Sequence, residues 1–168
     1  MSGDNVTDCF VCRKHRHGGA LAPGGFVAED DLVLVSHVVT PDVLGREGTT
    51  AYLGHLIVEP RRHAPGLADL TDAEARGVGW WCTQASRALR AAGAEHVYAA
   101  VLGDGVPHLH VHLLPRFPGT PREYWGTHVA EWPQARRSDT AEIGLLVRDL
   151  RGYLTGGTAR PTLPVTRH

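Results

Sequence analysis

The side chains of this sequence best equipped for chemistry are three alternating histidines, His108, His110 and His112, and a cysteine pair, Cys9 and Cys12, with two residues between them. On an extended chain successive side chains point to opposite faces. The three imidazoles then share one face, and Leu109, Val111 and Leu113 share the other. Alternate rings stand ~6.6 Å apart, so neighbours can flank one small group while the outer pair serves separate sites. Imidazoles change charge near neutrality, attack phosphorus and donate hydrogen bonds to phosphate oxygens. The same row could hold one catalytic metal, as histidines two apart on a strand do in some metalloenzymes. It could also be an accidental row on an exposed edge.

A two-residue spacer lets two thiolates share one tetrahedral zinc. A redox pair is the other reading of Cys9 and Cys12, but no βαβ pattern follows them. Cys82 lies in a helical pattern beside Trp80 and Trp81 and reads as a small buried hydrophobe. His15 and His17 are further candidate ligands, and His55, His96 and His128 read as surface or hydrogen-bonded histidines.

What must position these groups is one domain, residues 1–155, with a flexible tail at 156–168. Hydrophobic residues make up 42% of the 168, enough for a substantial core. Net charge is −1, from 17 basic and 18 acidic residues. That balance argues against a nucleic acid or a membrane surface as partner, so a phosphate-bearing ligand needs a local site. Residues 1–8 are polar, unlike a secretory signal, and no run approaches the ~20 apolar residues of a membrane span. With two of three cysteines in a metal-type pair, a cytoplasmic protein is expected.

Residues 26–28 and 32–39 read as a hairpin, 40–50 as a surface loop, 51–59 as a strand closed by Pro60, and 13–25 as a basic, Gly-rich loop. Thr71 and Glu74 make a capping box opening a helix that Gly93 stops. Strands follow at 95–102 and 106–114, the second ended by Pro115, and a second helix near 140–155. Strands with two helices, without strict alternation, predict an α+β fold with a mainly antiparallel sheet.

The run His108-Leu109-His110-Val111-His112-Leu113-Leu114 matches the H-φ-H-φ-H-φ-φ signature (φ apolar) of the histidine triad superfamily. Gly54-His55-Leu56-Ile57-Val58-Glu59-Pro60-Arg61-Arg62-His63 and Leu67-Ala68-Asp69-Leu70-Thr71 resemble the family's preceding strand, loop and helix start. The likeness spans roughly residues 9–116. It implies a five-stranded antiparallel sheet with two helices, a homodimer, and a nucleotide or nucleotide conjugate as ligand. It also implies His110 as the nucleophile that forms a covalent nucleotidyl-histidine, and His112 as a phosphate contact. The C-x-x-C members, and the related galactose-1-phosphate uridylyltransferases, complete a structural zinc with two histidines. These match His63 and His108, giving a Cys9, Cys12, His63, His108 set.

The chain departs from the pattern upstream of the triad. Where typical members carry an Asn and a Gly-Gln-Ser/Thr element, it has Val97 and Gly103-Asp104-Gly105. The backbone amides of Gly105 and Val106 are expected to meet the phosphate, with Asp104 facing solvent. The family's ribose-binding acid is missing near residues 36–39, and His37 is expected in its place. Residues 40–50 read as an insertion beside this pocket. Arg116, Arg122, Tyr124 and Trp125 either close the pocket or pack the segment that follows the triad. The expected activity is nucleotidyl hydrolysis or transfer. The alternatives are a non-catalytic nucleotide-binding or scaffold module, and an enzyme of the family with a diverged substrate.

Overall fold

A computed structural model describes residues 9–103, 105–156 and 161–163. The first element of the described residues is a short helix, α1 (Phe10–Arg16), whose second half the sequence reading had as loop. Seven residues with no side-chain cap are too few to hold a helix alone. Its buried face of Val11, Cys12 and Lys14, pressed on the sheet, supplies what local propensity lacks.

Strands β1 (Phe26–Glu29) and β2 (Val33–His37) form the expected hairpin. Asp30 shapes its turn, accepting the Leu32 and Val33 amides at 2.8 Å. A single 3-10 turn, Pro41–Leu44, interrupts the 40–50 loop. The predicted strand at 51–59 is two strands, β3 (Ala51–Tyr52) and β4 (Leu56–Pro60). Gly54, at φ 86°, makes the break: a Cβ there would lie 3.0 Å from Pro115 and needs a conformation L-residues avoid.

Helix α2 (Asp72–Ala91) starts on the Thr71–Glu74 capping box, with Glu74 N–H donating to Thr71 Oγ1 at 3.2 Å. Strand β5 (His96–Ala100) follows, then β6 (Val111–Arg116). β6 therefore starts later than the expected 106, leaving His108 and His110 in the segment before it and only His112 in the strand, and it runs through Pro115. Pro115 pairs with Val97 of β5, and its carbonyl also accepts the Tyr52 hydroxyl. β7 (Arg137–Ser138) pairs with β3 apart from the main sheet. Helix α3 (Thr140–Leu154) is capped by Asp139, which accepts the Glu142 amide at 2.9 Å.

The main sheet has five strands, all antiparallel, in the order β1-β2-β4-β6-β5. Helices α2 and α3 cover one face, where Val33, Val35, Leu56, Val58, Val111 and Leu113 form the core with Leu89 and Leu146. The alternate positions, Ser36, Ile57, Glu59 and His112, face the other way, toward α1. The fold is the expected α+β architecture with α1 added. Among the described residues no helix is long and apolar enough to cross a membrane. The tail expected to fray at 156–168 packs back in part: Pro161 is buried, Leu163 sits against the core, and Thr162 Oγ1 bonds Asp149 at 3.1 Å.

Candidate active site and metal centre

Two sites meet at the start of β6. In the first, α1 brings Cys9 and Cys12, the segment after β4 brings His63, and the turn before β6 brings His108. Their ligand atoms all lie within 4.8 Å of one another. Cys12 Sγ is 3.4 Å from both His63 Nδ1 and His108 Nδ1, and Cys9 Sγ is 3.7 Å from His108 Nδ1. Bond lengths and angles at a tetrahedral zinc imply a sulfur–nitrogen edge of about 3.6 Å. The observed edges bracket that value. His108 donates Nε2–H to the Pro60 carbonyl at 2.8 Å, which fixes the tautomer and leaves Nδ1 bare for a metal. Burial and the adjacent Cys9 push the Cys12 thiol up to about 11, so paired thiolates here need a cation. The four residues fit a closed metal site.

His15 is not part of that set. It meets the edge of the His108 ring, but its Nε2 sits 3.1 Å from Glu59. Cys82, half-buried in α2, also lies outside it, its thiol raised to about 11 by burial.

The second site is the rest of the triad. His110 Nδ1–H donates to the His108 carbonyl at 2.7 Å, so Nε2 carries the lone pair. The ring is half-buried, outside any helix, and not among the metal-ligand set. The His112 ring lies 4.9 Å from it, centroid to centroid, at 71°. His112 Nδ1 is 2.9 Å from His55 Nε2. Burial, then the neighbouring imidazoles, lowers His55 to about 3, and burial also lowers His112. The two rings are therefore a neutral pair near pH 7, sharing one proton between the facing nitrogens. His55 had been read only as a surface or hydrogen-bonded histidine. Strand parity could have found it: residues 55, 57 and 59 share a face, and Ile57 is opposite His112.

His110 and His112 open onto a cleft of about 130 Å³ whose walls include Phe10, Val39, Leu44 and Val106. Leu44 belongs to the 40–50 loop, so that segment does border the pocket. Gly105 is exposed next to Val106, and Asp104 lies outside the described residues.

His37 requires correction. It is fully buried, donates Nδ1–H to the Val38 carbonyl at 2.8 Å and accepts the Gly54 amide on Nε2 at 3.0 Å. With both nitrogens occupied it cannot meet a ribose. Its role is to tie β2 to the turn before β4. Burial lowers it to about 4 from an ordinary 6.5. Folding thus binds the proton less well than the unfolded chain does, and stability is complete above pH ~6.5 and lost as pH falls toward 4. The margin of wild type over His37→Asn is expected to shrink by ~3 kcal/mol between pH 7 and pH 4. Denaturant midpoints of both proteins at the two pH values measure it. An unchanged margin rules the account out.

The aromatic segment after the triad packs instead of closing the cleft. The Arg116 guanidinium stacks 3.8 Å over Trp125, whose indole N–H donates to the Thr120 carbonyl at 3.0 Å. Arg116 also reaches Tyr98 and Glu95. Val97 lies in β5 opposite Pro115, partly buried against the core.

A five-stranded antiparallel sheet that sets alternate histidines beside a Cys2His2 cluster defines an α+β protein of the histidine triad class. A family model, the HIT domain, matches residues 22–119, and the chain belongs to that family. It is 30% identical over 118 residues to an uncharacterized HIT-like protein of Borreliella burgdorferi, covering 66% of this chain and 76% of the relative. Among solved structures it resembles a Zn-bound histidine triad family protein from Mycobacterium smegmatis. There the TM-score is 0.64 and the identity 23%, with 90% of this chain and 98% of the other covered. A hypothetical histidine triad nucleotide-binding protein from Sulfolobus tokodaii gives a TM-score of 0.62 at 18% identity, covering 87% and 91%.

Proposed function

We propose that the protein is a nucleotidyl hydrolase or transferase that works through a covalent intermediate on His110, with a structural zinc at Cys9, Cys12, His63 and His108. The observation that carries the reading is the His110 Nδ1–H bond to the His108 carbonyl, which aims the free Nε2 lone pair away from the backbone. Nε2 attacks phosphorus, the N–P bond forms, and the bond to the leaving group breaks, the leaving group taking a proton from solvent that the acceptor of the second step returns. Water, or a second acceptor, then displaces the imidazole. His112 donates to a phosphoryl oxygen, with the Gly105 and Val106 amides as further donors. His55 sets which His112 nitrogen bears hydrogen toward the cleft.

Zinc as the metal is supported by the donor set, the sulfur–nitrogen distances and the Zn-bound relative. Its charge there holds both thiolates and the α1 segment against the triad strand. A homodimer in the cytoplasm belongs to the same reading, as does a nucleotide conjugate as substrate, a class consistent with the nucleotide-binding relative.

The test is a panel of phosphoramidates, dinucleoside polyphosphates and sugar nucleotides, with mononucleotide release followed and acid-quenched samples searched for a nucleotidyl adduct. Release from at least one class, with the adduct on His110, is expected. Binding without release or adduct would replace the enzyme by a binding module.

A further inference from the structure

Lys14 is the chain's single lysine, and it is buried. Its Nζ lies 2.9 Å from Ser36 Oγ, and 2.9 and 2.7 Å from the two Glu59 carboxylate oxygens. His15 Nε2 approaches the same carboxylate at 3.1 Å. Both side chains of the Lys14–Glu59 pair are 3% exposed, and both border the triad cleft. Among the described residues lining that cleft they are the two that carry a formal charge, His110 and His112 aside.

The sheet register explains why this matters. Ile57 pairs with His112 and Val58 with Val111, so Glu59 is the next β4 residue on the face that carries the triad rings. A bare carboxylate on that face opposes any anion placed at His110 and His112. At an effective dielectric of ~20, one unit charge ~6–10 Å away changes an anion's affinity roughly 15- to 100-fold. A purely mechanical anchor for α1 would not need charge, because a buried ion pair is commonly replaced by apolar residues without loss of stability.

We propose that Lys14 is a specificity-determining residue of the cleft: its ammonium neutralises Glu59, and so admits a phosphoryl anion beside His110 and His112. The inference rests on the placement of phosphorus at those two rings. It adds that the cleft's tolerance for anionic ligands is set by a fixed charge pair bridging α1 and β4.

The test titrates zinc-loaded full-length protein with inorganic phosphate, following the His112 imidazole signals by NMR. Lys14→Met is expected to weaken phosphate binding ~10-fold or more, and Glu59→Gln, which leaves the ammonium in surplus, to tighten it by a similar factor. The double variant should return to within about threefold of wild type, since it removes both charges. If Lys14→Met fails to fold, Glu59→Gln and the double variant still decide. Unaltered affinity in Glu59→Gln, equal weakening in Lys14→Met and the double variant, or no phosphate binding by wild type each overturns the proposal. Inorganic phosphate has neither nucleoside nor leaving group. The expected series combined with a silent substrate panel would therefore remove the enzymatic reading and leave this one standing.

Discussion

His110→Ala is expected to eliminate mononucleotide release, by ~10⁴-fold or more in kcat, while the protein stays folded and keeps its metal. The loss is that large because the attacking atom itself is deleted, and no neighbour can take its place. His112 lies 4.9 Å away, ring to ring, but its Nδ1 is engaged with His55. His108 is fully buried, with Nε2 bonded to Pro60 and Nδ1 turned to the cysteines. Structure should be spared, because the His110 ring is only half-buried and, among the described residues, its hydrogen bond goes to a backbone carbonyl. Steady-state kinetics beside metal analysis and a melting curve measure all three quantities. Residual turnover near the wild-type rate would assign the chemistry to another residue.

Removing the metal is expected to act in the opposite sense, on stability first. In Cys12→Ser the better-placed thiolate is lost, the one 3.4 Å from both imidazole nitrogens, and zinc content should fall to near zero. The α2–α3 side of the sheet holds its own apolar core, so the domain should not unfold outright as a zinc-finger peptide does. What is lost is the clamp joining α1, the segment after β4 and the turn before β6. A loss of ~3–5 kcal/mol is expected, and with it a Tm lower by about 10 °C. Treatment of wild type with a strong chelator should reproduce the shift, and added zinc should reverse it. A Cys12→Ser protein that retains a full equivalent of metal and the wild-type Tm would exclude Cys12 from the ligand set.

Much of the site was legible because it obeys short-range rules. Alternation marked His108, His110 and His112 as a set, although only His112 lies in β6 and the other two precede it, and Cys9 and Cys12 lie within one turn of each other. The Thr71–Glu74 capping box likewise needs only a spacing of three. Features that depend on distant partners were not legible. α1 is too short to declare itself by periodicity, and it exists because Lys14 finds Glu59 and the cysteines face two histidines far along the chain. His37 looked available because its type suits recognition, yet its position in β2 turns it into the interior. The strand break at Gly54 follows from the close approach of Pro115, some sixty residues later.

Residue order alone therefore determined the antiparallel α+β class, the row of imidazoles and the cysteine pair. Each is written in local spacing and in the geometry of one extended strand or one helical turn. Tertiary structure brought His63 and His108, named in the sequence only through the family resemblance, to the cysteines, and decided which histidine pairs with His112 and which is shut away. It also decided that the lone lysine pairs with a carboxylate at the border of the cleft. Those outcomes depend on burial and on cross-strand register, which are set only when segments far apart in the chain are packed against one another.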